Sequence, residues 1–158
     1  MITTLIGLGN SGAEYDRTYH NVGEFVAGVL KRTNPEALLN VYPVSGFMNE
    51  CGAAIRAWLK MHNLSLEESV VIHDDSDLPL GSYKISRGGG SAGHKGIESI
   101  VVQLGTSDFW RLRIGIRDPH EEVRRKAGDF VLSHWNTAAE SSFCSVAVAA
   151  LPELRAIK

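Results

Sequence analysis

Four groups of residues in this chain have the types and spacing to do chemistry. The first is Asn10, Tyr15, His20 and Asn21, polar side chains crowded onto a loop that follows a short apolar run. The second is His73-Asp74-Asp75-Ser76-Asp77, directly after the apolar residues Val70, Val71 and Ile72. A carboxylate at one strand end facing an imidazole at another fixes the histidine tautomer and raises its basicity, the pattern of a general base that activates water. Three acids beside His73 could instead hold a divalent cation. The spacing lacks the glycine and closing glutamate of a calcium loop, so no metal is expected. His20 taken alone reads better as a helix cap or a satisfied surface histidine, and only the second cluster gives it a partner. The third group, Phe47-Met48-Asn49-Glu50, opens a helical pattern and by chemistry alone is unremarkable.

The fourth group is Arg87-Gly88-Gly89-Gly90-Ser91-Ala92-Gly93-His94-Lys95-Gly96. So many glycines cost entropy on ordering, which fits a place where backbone N–H groups approach a ligand closely. A helix follows at once, and its amino end is expected to face anions. Lys84, Arg87, Lys95, Arg111, Arg113, Arg117, Arg124, Arg125 and Lys126 surround this run. Residues 84–126 hold nine basic and five acidic groups, whereas residues 1–83 hold five basic and ten acidic ones. The net charge of −2 over 158 residues therefore conceals a basic segment suited to phosphate.

The elements that must position these groups alternate between strand and helix. Apolar runs at 2–8, 70–73, 83–86 and 110–116 read as strands, the last with Arg111 and Arg113 outward and Leu112 and Ile114 inward. Helical periods run from Val22 to Leu30, ended by Asn34-Pro35, and over 53–61, 97–104 and 138–150. The fold class is therefore α/β, a single-domain mixed and largely parallel sheet flanked by helices, over residues 1–158. Hydrophobic residues make up 44% of the chain, enough for a core without staples. Cys51 and Cys144 form no C-x-x-C pattern, so a disulfide framework and a zinc site are not expected. With no basic leader and no long apolar run, a soluble cytoplasmic protein is expected, and a monomer is the simplest assembly. The three tryptophans read as core anchors. Gly7-Leu8-Gly9-Asn10-Ser11-Gly12 has dinucleotide-loop spacing, but the helical period begins only near Val22, so a structural turn fits better than an oxidoreductase site.

In order, the segments Leu5-Ile6-Gly7-Leu8-Gly9-Asn10-Ser11-Gly12-Ala13-Glu14-Tyr15, His20-Asn21, Phe47-Met48-Asn49, His73-Asp74-Asp75-Ser76-Asp77-Leu78-Pro79, Gly88-Gly89-Gly90 through His94, and Phe109-Trp110-Arg111-Leu112-Arg113-Ile114-Gly115-Ile116 resemble the bacterial-type peptidyl-tRNA hydrolase family. Each piece is weak and the ordered set is specific. The resemblance implies cleavage of the ester between a peptide and tRNA, which releases tRNA for reuse in translation. It implies no cofactor, the acceptor end of peptidyl-tRNA as partner, and no membrane. His20 would be the general base and Asp74 would orient and polarise it. Asn10 and Asn49 would position the substrate and stabilise the oxyanion, Tyr15 and Met48 would line the cleft, and Arg113 would help clamp the tRNA 5′ phosphate.

The chain departs from the family pattern at several places. Lys95 stands where a substrate-binding asparagine is usual, and could hold a phosphate or a carbonyl instead. Ser86 aligns with the usual lysine partner of Arg113, so Lys84 or Arg87 must take that part. The stretch from Asn21 to Phe47 is short, one extra residue precedes Phe47, and the last helix is expected to be abbreviated. A tRNA or structured-RNA binding protein of the same fold, without efficient hydrolysis, is the alternative reading.

Overall fold

A computed structural model describes residues 1–34 and 39–158. Five strands are present: β1 (Thr4–Gly7), β2 (Asn40–Val41), β3 (Ser69–Pro79), β4 (Tyr83–Arg87) and β5 (Trp110–Arg117). Four helices accompany them: α1 (Val22–Thr33), α2 (Cys51–Met61), α3 (Lys95–Leu104) and α4 (Thr137–Ala156). The sheet order is β2-β1-β3-β5-β4, with β4 antiparallel to β5 and all other pairs parallel. The expected α/β class is thus correct. The two-residue β2 carries too little pattern to be read from sequence. The stop signal at Pro35 lies outside the described residues, and α1 has already ended at Thr33.

Both sheet faces are covered, which explains why Val70, Val71 and Ile72 form a continuous apolar run. On one face Val26, Leu30 and Phe143, from α1 and α4, pack with Leu5, Ile72, Leu112 and Ile114. On the other, Ile55, Leu59, Ile97 and Ile100, from α2 and α3, cover Ile6, Val71 and Phe109. Each fully buried branched or aromatic side chain contributes about 1.5–3 kcal/mol. Trp135 joins the first core almost fully buried, while Trp58 and Trp110 sit at core margins.

The connections on either side of β1 and β3 leave in opposite directions, to β2 and toward β5. A crevice opens beyond the carboxyl ends of strands at such a switch point. There α1 approaches unusually closely, because a Cβ on Gly23 would lie 2.1 Å from the Ile72 carbonyl oxygen. Only glycine permits this contact, and it sets the turn before α1 against the end of β3.

Candidate active site

That turn is a short 3-10 segment, Tyr19–Asn21, and carries His20. The His20 N–H donates to Val131 O (2.8 Å) and the Tyr19 N–H to Ser133 O (3.1 Å), pinning the turn to the chain after β5. His20 Nδ1 lies 2.9 Å from both carboxylate oxygens of Asp74, at the end of β3. A second imidazole reaches the same group: His94 Nε2 is 2.8 Å from Asp74 Oδ1. The His20, Asp74 and His94 side chains are 13%, 4% and 8% exposed.

Hydrogen bonding decides which nitrogens carry protons. His94 is the N-cap of α3, and its Nδ1 accepts from the Gly96 N–H (3.1 Å) and the Ile97 N–H (3.4 Å). With Nδ1 an acceptor, the proton sits on Nε2 and is donated to Asp74. The same carboxylate accepts from His20 Nδ1–H, which leaves the Nε2 lone pair of His20 for a proton. These three residues have ligand atoms close enough to span a metal ion. The cap on His94, however, keeps a proton on the nitrogen a metal would need, so the set suits hydrogen bonding rather than metal ligation. The amino end of α3, expected to face anions, is instead occupied by this imidazole.

Burial opposes ionisation of Asp74, but His94, followed by the hydrogen bond from His20, outweighs it and holds the carboxyl well below the ordinary carboxylate range. His73 takes another role. Its Nδ1–H donates to the Asp74 carbonyl oxygen (2.7 Å), its Nε2 is buried with no partner among the described residues, and its ring meets His94 edge-on at 4.8 Å. Burial first, then the neighbouring His94, lowers its pKa to about 3. The unfolded chain binds this proton below about pH 6.5, whereas the folded chain resists it. The stability contributed by neutral His73 is therefore present above pH 6.5 and lost progressively toward pH 3. His73→Asn, which keeps a donor near the Nδ1 position, is expected to flatten the acid side of a denaturant-stability profile. An unchanged slope between pH 7 and pH 4 would count against this account.

Asn10 is nearly buried and braced on both sides. Its N–H donates to Asn21 Oδ1 (2.9 Å), its carbonyl accepts from Asn21 Nδ2 (2.9 Å), and its Oδ1 accepts from the Met48 N–H (2.7 Å). The Asn10 Nδ2 is left without a partner among the described residues. Met48 is buried against Gly96, where a Cβ would lie 2.5 Å from the Met48 sulfur and 3.1 Å from the His94 ring. Asn49 is exposed on the same turn, and Tyr15 meets Phe47 edge-on at 6.2 Å. Asn10 and Met48 are thus joined to each other and, through Gly96, to His94, whereas Tyr15 and Asn49 make no hydrogen bond to the His20–Asp74 pair.

On the other side lies a cleft of about 630 Å³, lined by His20, His73, Asp74, the 88–95 loop, Arg111 and Arg113. Arg113 forks onto Asp75, with Nε 2.7 Å and Nη2 2.6 Å from Oδ2. Lys84 sits beside it in register across the β4–β5 ladder and is exposed, whereas Arg87 is bound to Asp108 at 2.8 Å. Lys95 lies at the rim, 68% exposed, with Nζ 2.9 Å from Glu98. One expectation needs correction here. Arg111 does not face outward: it is 3% exposed, with its guanidinium 4.6 Å over the Phe109 ring. The cover over Arg111 is the Gly-rich loop, which turns two carbonyls onto it: Arg111 donates to Gly90 O (2.8 Å) and Gly89 O (2.7 Å).

Sequence reasoning missed the functional position of His94 and the pairing of Asp75. The first had a signal, an imidazole standing between a glycine run and the first residue of a helical period, where an N-cap belongs. The second had none, since Asp75 and Arg113 meet only across adjacent strands.

A family sequence model described as peptidyl-tRNA hydrolase matches residues 32–157. A peptidyl-tRNA hydrolase from Aquifex aeolicus is 38% identical over 163 aligned positions, covering 92% of this chain and 84% of the relative. One from Methylobacillus flagellatus is 38% identical over 138, covering 75% of this chain and 71% of the relative. Among solved structures, an arginine-to-glutamine mutant of peptidyl-tRNA hydrolase from Acinetobacter baumannii superposes with a TM-score of 0.81 at 26% identity, covering 98% of this chain and 87% of that one. Sequence kinship over most of the chain and a shared fold over nearly all of it lead to one assignment: the chain belongs to the peptidyl-tRNA hydrolase family.

Proposed function

We propose that this protein hydrolyses the ester joining a peptide to the terminal ribose of tRNA. The observation that carries this reading is the His20–Asp74 pair, whose hydrogen bonding leaves the Nε2 of a partly buried, oriented imidazole free to take a proton. A water held by His20 Nε2 gives up its proton as its oxygen attacks the ester carbonyl carbon. Negative charge then develops on the carbonyl oxygen. Asn10 Nδ2 and Asn49 supply neutral donors there, and the ribose oxygen leaves with the proton returned from His20. Asp74 stabilises the transient imidazolium and holds its ring. Met48 and Tyr15 shape the peptide side of the cleft. An ester needs no metal or covalent nucleophile for this route.

Phosphate recognition falls to the other side. Arg113 and the adjacent exposed Lys84 form a cationic pair of which Asp75 neutralises only one charge. Lys95 can exchange its exposed and therefore weak contact with Glu98 for a substrate phosphate or carbonyl. The protein acts as a single domain and a monomer, and it works in the cytoplasm, where tRNA is recycled. No helix among the described residues is long and apolar enough to cross a membrane.

Incubation with a peptidyl-tRNA and, separately, with an aminoacyl-tRNA bearing a free α-amine tests the reading. Rapid loss of the first ester alone is expected. Tight binding of tRNA with neither ester cleaved would favour an RNA-binding protein and overturn it. Lys84→Ala and Arg113→Ala should each reduce the slope of log affinity against log salt by about 0.7–0.9, the contribution of one phosphate contact. An unchanged slope in both variants would remove these residues from the tRNA contact.

A further inference from the structure

Arg111 is a buried cation for which the reading above gives no use. Among the described residues no carboxylate forms an ion pair with it, whereas Arg87, Arg113, Arg117, Arg124 and Arg125 each have one. Its Nη atoms are spent on the carbonyls of Gly89 and Gly90, with a longer contact of 3.4 Å to Ser107 O, and its buried Nε has no partner. Carbonyls solvate a guanidinium but do not neutralise it. Burial and the charge of nearby Arg113 both press against its protonated form. A full charge kept in a cleft wall against such opposition calls for an anion.

The loop shows where that anion would sit. In a trans peptide the N–H of one residue points opposite to the carbonyl of the residue before it. With the Gly89 and Gly90 carbonyls turned onto Arg111, the N–H groups of Gly90 and Ser91 point away from it. Neither has a partner among the described residues. The arrangement needs Gly88 and Gly89 at φ +70° and +98°, a region glycine enters without strain. The loop is thus polarised, with its acceptors on the cation and two adjacent donors on its free edge.

We propose that the Gly90 and Ser91 N–H groups, backed by the charge of Arg111, form a phosphate subsite in this cleft. The inference rests on the function proposed above, and the ligand is a phosphodiester of the substrate strand. Ser91 is three residues from His94, a span of at most about 10 Å, and His94 touches the carboxylate that holds His20. The phosphate is therefore the one linking the terminal nucleotide to its neighbour. Arg111 acts through the loop and is a positioning residue.

Two N-acylated aminoacyl esters test this, one on a nucleoside without phosphate and one on a dinucleotide with a single phosphodiester. The protein should favour the dinucleotide ester in kcat/KM. Arg111→Gln should lose at least tenfold more on the dinucleotide than on the nucleoside ester, with the salt slope of the former reduced by about 0.7. Arg111→Lys should recover part of that preference. Ser91→Pro deletes one donor, leaves Arg111 in place, and should lose the same preference. Equal losses on both esters in Arg111→Gln, with the preference intact in Ser91→Pro, would mean that Arg111 only supports the loop and would overturn the subsite. If the protein cleaves neither ester, the proposed function fails separately. The subsite is then decided by binding: the dinucleotide should shift the Gly90 and Ser91 amide resonances in the native protein and not in Arg111→Gln, and no shift in the native protein overturns it.

Discussion

Replacing His20 with alanine is expected to lower kcat on peptidyl-tRNA by about 10²- to 10⁴-fold, the usual contribution of a positioned general base. This corresponds to about 3–5 kcal/mol of transition-state stabilisation. Binding should change little, because in the proposed mechanism His20 contributes a lone pair to the reaction while the cationic pair on β4 and β5 contributes affinity. Folding should also survive, since the turn is held by backbone bonds from residues 19 and 20 to residues 131 and 133. Single-turnover hydrolysis at saturating enzyme separates the chemical step from affinity. Retention of near-native single-turnover rates by His20→Ala would remove the imidazole from the mechanism.

The second large effect concerns Asp74→Asn. An asparagine keeps the size of the side chain but replaces one acceptor oxygen by an NH₂ donor. His94 cannot adapt, because two backbone N–H groups hold its Nδ1 as an acceptor and keep the proton on Nε2. The asparagine oxygen must therefore face His94, and its NH₂ faces His20 Nδ1. Hydrogens on that NH₂, at the place of an oxygen 2.9 Å from Nδ1, oppose a proton on Nδ1 even though the shared oxygen is equally near, which favours the opposite tautomer, with the proton on Nε2 and the lone pair turned away from the cleft. A base held in the wrong tautomer by this substitution loses up to about 10⁴ in rate, so kcat should fall by about 10³–10⁴ with KM nearly unchanged. Nitrogen NMR of the imidazoles should show His20 switched and His94 unaltered. An active Asp74→Asn variant, or a native His20 tautomer in it, would show that the carboxylate does not set the proton's position.

Much of this arrangement is legible in the chain itself, for reasons particular to each piece. Val70, Val71 and Ile72 are apolar on both faces of β3 because helices cover both sides of the sheet, and such a run can be read without coordinates. Val22, Val26, Val29 and Leu30 repeat at the helical period for the same reason, burying one stripe of α1. His20 and the acids after Ile72 stand out because each follows an apolar strand, and parallel strands deliver their carboxyl ends to one edge. Arg111 is read wrongly for an equally physical cause. Strand alternation places it on the polar side of β5, but the Gly-rich loop folds over that side and buries it.

Period, order and residue type along the chain carry the α/β class and, through the ordered motifs, the family, and it was the family resemblance that joined His20 to Asp74. Tertiary structure alone decided how protons and charges are distributed. The cap that fixes His94, the fork of Arg113 on Asp75, and the carbonyl clamp on Arg111 each join residues distant in sequence or fix the direction of a single peptide group. No periodicity encodes such contacts, since they depend on where a loop closes after the sheet has formed.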